Sequence, residues 1–254
     1  MDYLALFSRY PQAGHTKTRL IPALGPEGAA QMQRQMTEHI LTKARALQAQ
    51  QPCTLEVLFT GGNTAQMQAW LGAVSLQPQS EGDLGARLTH AFAQAFQRGY
   101  TRAVAIGSDC PDLDAPRLQQ AFAALATHDA VIGPALDGGY YLIGLSRPIP
   151  ELFQQIDWGT ERVLHQTLAQ AQTWGVAIAQ LPPLGDVDCP EDLPRWYRQQ
   201  ASPKLSPSSS PETETQDLPV AGNTTAPPVA PSPGCAEYSV SAPSPRLRPA
   251  RPTN

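Results

Sequence analysis

Between residues 3 and 200, short apolar runs of strand length, each closed by a polar, glycine or proline turn, alternate with stretches whose apolar residues recur every three or four positions. No other feature constrains the fold as much, because strand, helix, strand repetition lets successive strands lie parallel while each helix crosses back over the sheet. The runs at 3–7, 55–60, 103–106, 130–134, 140–145 and 176–181 read as strands. Helical spacing covers 26–50, 64–71, 116–126 and 161–174, a helix opens at Leu84, and a last one ends near Gln200. In the 26–50 helix the stripe Ala29, Met32, Met36, Ile40, Ala44 and Leu47 is a core face, and in the helix after Asp83 the inward face is Leu84, Leu88, Ala91, Ala95 and Phe96. The pattern predicts an α/β chain with a mostly parallel sheet wrapped by helices. It contains no internal repeat, and no Gly-x-Gly-x-x-Gly follows the first strand, which excludes a dinucleotide dehydrogenase.

The 254-residue chain changes character at residue 202, after which Pro, Ser, Thr and Ala dominate. Such a stretch buries too little apolar surface to offset its ordering entropy, so a folded domain at 1–201 and a Pro/Ser-rich disordered tail at 202–254 are expected. In that tail Lys204, Arg246, Arg248 and Arg251 balance Glu212, Glu214, Asp217 and Glu237, so the net charge of −4 belongs to the domain. An acidic domain without clustered Lys and Arg is no nucleic-acid scaffold. Cys53, Cys110, Cys189 and Cys235 lie far apart, with neither a disulfide framework nor a zinc spacing among them, which suits a reducing cytoplasm. The first residues lack a basic leader and no apolar stretch reaches about 20 residues, so no membrane span is expected.

Chemistry concentrates where strands break into polar turns. The run 103–106 ends in Gly107-Ser108-Asp109-Cys110-Pro111-Asp112, and an aspartate past the carboxyl end of a strand is placed to hold a metal or a substrate hydroxyl; it would equally serve an Asx turn or cap the next helix. The loop after the first strand carries Gly14, Lys17 and Arg19, two cations near a glycine that suit a phosphate, or simply a solvated basic loop. It lacks the second glycine of a Walker loop. Asp83 suits a helix N-cap, and Arg87 one turn later could reach an anion. Asp137-Gly138-Gly139 between two strands signals a hairpin, and paired glycines also let a backbone lie against a ligand. Thr160 reads as the N-cap of the 161–174 helix, Trp158 as a loop anchor, and 186–193 as a second acidic turn.

Taken together, Pro11-x-x-Gly14-x-x-Lys17-Thr18-Arg19-Leu20, Gly107 to Leu113, Gly133-Pro134 with Asp137 to Gly144, Trp158-Gly159-Thr160 and Asp186 to Leu193 closely resemble a bacterial family of nucleotide-diphospho-sugar transferase-like proteins. Its members are described as glycosyltransferases associated with radical-SAM and selenodomain proteins, some named for arsenosugar biosynthesis. The resemblance implies a GT-A, Rossmann-like three-layer α/β/α sandwich over about residues 3 to 200. It implies a divalent metal, Mg²⁺ or Mn²⁺, on Asp109 with Asp188 or Asp186 as second acid. Lys17 and Arg19 would clamp phosphates, with Gly14, Ser108, Arg87, Asp137, Gly138, Gly139 and Thr160 around the substrates. Asp109 is followed by Cys110 and Pro111 rather than completing an Asp-x-Asp motif, and Asp112 reads as a turn residue. Lys-Thr-Arg-Leu is also similar to a stretch of phospholactate guanylyltransferases, and the overall plan to molybdenum-cofactor guanylyltransferase. The expected activity is glycosyl transfer from a nucleotide sugar to a small acceptor. The alternatives are nucleotidyl transfer from an NTP with release of pyrophosphate, or nucleotide binding without catalysis.

Overall fold

The structure, a computed structural model, describes residues 1–201. The Pro/Ser-rich stretch expected at 202–254 lies outside the described residues. Seven strands form one sheet: β1 (Asp2–Arg9), β2 (Cys53–Thr60), β3 (Ser75–Pro78), β4 (Arg102–Ile106), β5 (Ala130–Pro134), β6 (Tyr140–Leu145) and β7 (Ile178–Gln180), in the order β3-β2-β1-β4-β6-β5-β7. Neighbours β3, β2, β1 and β4 are parallel, as are β5 and β7. Only β6 is reversed, antiparallel to both β4 and β5.

Alternation along each strand sorts its side chains between two helical layers. From β1, Leu4 and Leu6 join a core with α1 (Ile21–Gln48), α2 (Thr64–Leu71) and α4 (Ala115–Ala124). Tyr3 and Ala5 face the other way, toward α3 (Leu84–Gln97) and α5 (Val163–Trp174). A third cluster packs α6 (Leu193–Ala201) on the start of α1 through Leu20, Met32, Met36, Leu193 and Trp196. The result is the expected three-layer α/β/α sandwich around a mostly parallel sheet. No helix among the described residues is long and apolar enough to cross a membrane.

The departures from the sequence reading have local causes. Helix α1 begins at Ile21 rather than 26, because Leu20, Ile21 and Leu24 are covered by α6, while Gly25 interrupts it with φ 70°. Strand β3 gives no periodic signal, being four residues at a sheet edge; it is held by pairing with β2, where Ser75 Oγ also donates to the Glu56 carboxylate at 2.8 Å. Leu84 does not face inward as expected. As the first residue of α3 it is 43% exposed, and Phe92 fills the core in its stead. Thr160 does not cap α5, which starts later with Arg162 at its N-cap; its hydroxyl instead donates to the Asp157 carbonyl and accepts from the Arg162 N–H. Asp83 does cap α3, accepting from the Ala86 N–H at 2.8 Å.

Phe122 of α4 is 1% exposed between helix and sheet. Phe122→Ala should lower stability by about 3–5 kcal/mol in urea denaturation, with the slope against denaturant unchanged. Glu56 is buried in β2 and accepts from the Tyr3 hydroxyl (2.6 Å), Ser75 and Arg98 (3.0 Å). Burial pushes its carboxyl up, but these hydrogen bonds outweigh that and hold it below its ordinary value of 4.5. The unfolded chain therefore takes up this proton first, so the contribution is full above pH 4.5 and fades as pH falls through the native value. Denaturation midpoints of Glu56→Gln should accordingly fall less steeply between neutral and acidic pH than those of the parent.

Candidate functional site

Because β1 to β5 and β7 run in one direction and β6 in the other, the turns carrying Lys17, Asp109, Asp137 and Asp188 all emerge at one edge of the sheet. Loop geometry then turns Lys17 inward. Gly14 has φ 77° and Lys17 itself φ 48°, a left-handed conformation that costs a side-chain-bearing residue about 1 kcal/mol or more. Thr16 is buried and its hydroxyl donates to the Gln12 carbonyl, while the Arg9 guanidinium donates to the His15 carbonyl. Thus held, the Lys17 ammonium, its side chain 5% exposed, lies 2.9 Å from Asp109 and 3.6 Å from Asp188 and donates to the Val187 carbonyl at 2.7 Å. Burial alone would lower its proton affinity; Asp109 first, then Asp188 and Asp186, outweigh that and hold the amine above its ordinary value. Arg19 bonds the other face of Asp188 at 2.6 Å, and the Val187 N–H donates to the Asp109 carbonyl.

Asp109 is oriented from behind. Ser108 Oγ donates to its carboxylate at 3.0 Å, Gln33 of α1 donates to Ser108 and to Thr37, and Thr37 hydrogen-bonds Ser8 of β1. The 186–192 turn is fixed by Asp192, whose carboxylate accepts from the Asp188 and Cys189 N–H groups. Both acidic turns lean on α6. Asp112 is more than the turn residue expected, since it accepts from Gln199 and pairs with Arg195 at 3.6 Å. The Arg195 guanidinium lies so close over Gly185 that a Cβ there would overlap it. His39 Nε2 donates to the Pro111 carbonyl and its ring meets Trp196 edge-on.

Two clefts meet at this junction, one of about 530 Å³ over the ends of β1 and β2, the other of about 460 Å³ over β5 and β6. Arg19, Leu84, Gly107, Asp109 and Asp188 line both. Ser108, Lys17 and Arg87 face the first; Asp137, Gly139, Thr160 and Asp186 face the second. Burial, and next the nearby Asp137, push the Asp186 carboxyl above its ordinary value. Two expected site residues line neither cleft: Gly14 serves the turn that delivers Lys17, and Gly138, φ 88°, lets the hairpin pack against the Glu161 carbonyl, where a Cβ would overlap. Sequence reasoning missed Arg9, Gln79 and Tyr140. Arg9 follows the apolar run 3–7 and reads as the start of a loop, Tyr140 reads as a strand residue, and Gln79 lies just past the unrecognised β3, donating to the Leu58 carbonyl at 2.8 Å. Among the described residues no group of three or more His, Cys, Asp or Glu side chains is gathered to hold a metal; the two acids that converge, Asp109 and Asp188, close on the Lys17 ammonium.

This architecture, with acids at the carboxyl edge of a mostly parallel sheet, is that of the GT-A type shared by sugar-nucleotide and nucleotidyl transferases. A protein from Desulfovibrio desulfuricans G20, described as a "putative nucleotide-diphospho-sugar transferase", is 34% identical, with a TM-score of 0.74 over 82% of this chain and 92% of its own. The chain belongs to the same family as this Desulfovibrio protein, and its residues 42–160 match the family described as "Uncharacterized protein conserved in bacteria (DUF2064)". The fold alone is shared with a CMP:2-keto-3-deoxy-manno-octonic acid synthetase complexed with CTP (11% identity, TM-score 0.51, 79% of this chain and 99% of that one). It is likewise shared with a 4-diphosphocytidyl-2C-methyl-D-erythritol synthase (11% identity, TM-score 0.50, 78% and 98%). No curated protein matches the chain.

Removing a buried ammonium leaves its carboxylates facing each other. Lys17→Met should cost about 1–3 kcal/mol, below the value for a fully buried pair because Asp109 and Asp188 are partly exposed. A double-mutant cycle with Asp109→Asn, read by urea denaturation, should return a coupling of about 1 kcal/mol or more.

Proposed function

We propose that this protein is a divalent-metal-dependent transferase that moves a glycosyl group from a nucleotide sugar to a small acceptor. The observation that carries this reading is the junction itself, where two clefts meet over a pair of carboxylates flanked by two cations. The family relationship to the Desulfovibrio protein supports it, as do the motifs resembling glycosyltransferases associated with radical-SAM and selenodomain proteins.

Asp109 and Asp188 fit Mg²⁺ or Mn²⁺. They are hard oxygen donors close enough to share one ammonium, and Mg²⁺ is commonly held by one or two carboxylates completed by substrate phosphates. Asp188, rather than Asp186, is the second ligand in this reading because it shares Lys17 with Asp109. A bound ion would neutralise the diphosphate as it departs. Arg9, Lys17, Arg19 and Arg87 supply the positive field of the larger cleft, and guanidinium groups suit phosphate oxygens. Ser108 and Gln33 keep Asp109 from rotating away, and Asp137, Gly139 and Thr160 shape the side where the acceptor enters. The free thiols of Cys53, Cys110 and Cys189 suit the cytoplasm as its location.

Arg9 and Arg87, in the same cleft as the acid-paired Lys17 and Arg19, also suit a longer phosphate chain, which favours nucleotidyl transfer from a triphosphate as the second reading. Incubation with Mn²⁺ or Mg²⁺ and either UDP- and GDP-sugars or labelled GTP and CTP separates the two. Free nucleoside diphosphate is the expected product, pyrophosphate would establish the second reading, and bound nucleotide with neither product would leave a binding module. Asp109→Asn should reduce turnover by about 100-fold or more, since the ion it helps hold is worth several kcal/mol to the transition state.

A further inference from the structure

We infer that the group seated in the cleft over β5 and β6 is rich in hydrogen-bond donors and carries neither phosphate nor carboxylate: an amine or polyhydroxyl acceptor, not a phosphorylated one. This rests on the transferase reading of the two clefts and names the substrate class of one of them.

The charged residues divide by cleft. Those lining only the larger one are Arg9, Lys17 and Arg87, all cations; those lining only the other are Asp137, Glu161 and Asp186, all acids. The charged residues common to both are Arg19, Asp109 and Asp188, and these are engaged with one another and with Lys17. Beyond the junction, therefore, the smaller cleft presents three carboxylates with no ion-pair partner among the described residues. An anionic substituent there would meet like charge that Lys17, acting on Asp186, and Arg19, acting on Asp137, offset only from a distance, whereas hydroxyl and ammonium groups would find acceptors.

Part of its remaining wall is aromatic. Trp158 and Tyr140 meet edge to face at 6.3 Å, and the Trp158 indole is held against α3 at Gly85, where a Cβ would crowd its Nε1. An aromatic face among carboxylates suits the C–H face of a sugar or a charged nitrogen equally, and repels neither. The volume of about 460 Å³ lies within the range of small-molecule sites and accommodates a monosaccharide.

The indole N–H resonance of Trp158, assigned with Trp158→Phe, reports on this cleft in the full-length protein. Titration with glucosamine, glucose and glucose 6-phosphate should move it with the first two and require at least about tenfold more of the phosphate ester, the effect of one unfavourable charge contact. Glu161 is exposed, so Glu161→Lys should fold and narrow that gap. Tighter binding of glucosamine than of glucose would assign an ammonium, and equal binding a polyol. Binding of glucose 6-phosphate as tight as that of glucosamine, or no movement with any of the three, overturns the inference. Thermal shifts with UDP, GDP and CTP plus Mn²⁺ separate the two failures. If nucleotides stabilise the protein while the Trp158 result is adverse, only the acceptor class falls; if none does, the transferase reading falls with it.

Discussion

One ammonium group holds together segments that lie at opposite ends of the folded chain. Lys17, from the loop after β1, meets Asp109 from the β4 turn and Asp188 from the turn beyond β7, and bonds the Val187 carbonyl between them. Each contact needs the others. The two carboxylates would repel without the cation, and the cation would not remain in a nearly dry position without them. The left-handed backbone at Lys17 is strain that the loop bears because these partners over-determine it. A mixed α/β scaffold tolerates the arrangement because every contributing turn leaves the same sheet edge.

Around that point the protein is stiff on one side and open on the other. Behind Asp109 runs a chain of buried hydroxyl and amide groups, Ser108, Gln33, Thr37 and Ser8, each satisfied by the next. Behind the second acidic turn stands α6, whose Arg195 and Gln199 reach Asp112 of the first, so the last helix clasps both turns from outside. In front, Asp109 and Asp188 keep part of their surface in two clefts. Rigid support behind and solvent access ahead is the condition for carboxylates that must present themselves to a ligand without collapsing onto one another.

Much of this was legible in residue order. The period-two and period-3.6 patterns identify the layers, and the abrupt end of 103–106 singles out Asp109 because ligands of open α/β sheets gather at the carboxyl ends of strands. Asp-Gly-Gly correctly signals the one reversal in the sheet. What escaped depends on distance rather than pattern. Strand β3 is too short and too exposed to show periodicity. The choice between Asp186 and Asp188 depends on which of two alternating side chains turns toward Lys17. Gly14 and Gly138 read as ligand contacts because glycine permits close approach, and the structure shows that what approaches Gly138 is the protein's own backbone. Trp158 was legible as an anchor, but that its ring would also form a wall of a cleft required the fold.

The reversed strand β6 has a consequence for how such a protein could diversify. The larger cleft is built on the parallel half of the sheet, where each turn belongs to a crossover and a change in length displaces a whole helix. The opposite wall begins on a hairpin whose tip, 135–139, is tied back by short-range bonds, Ala135 N–H to the Gly139 carbonyl and Gly139 N–H to the Asp137 carboxylate, and is joined to its neighbours by Leu136 N–H to the Leu184 carbonyl and Leu164 N–H to the Gly138 carbonyl. The exposed Leu136 and Asp137 of that tip can be exchanged without rethreading the sheet, whereas Gly138 is fixed by the Glu161 carbonyl packed against it. Divergence among descendants of this scaffold should therefore gather in the hairpin, altering what is accepted while leaving the cationic half unaltered.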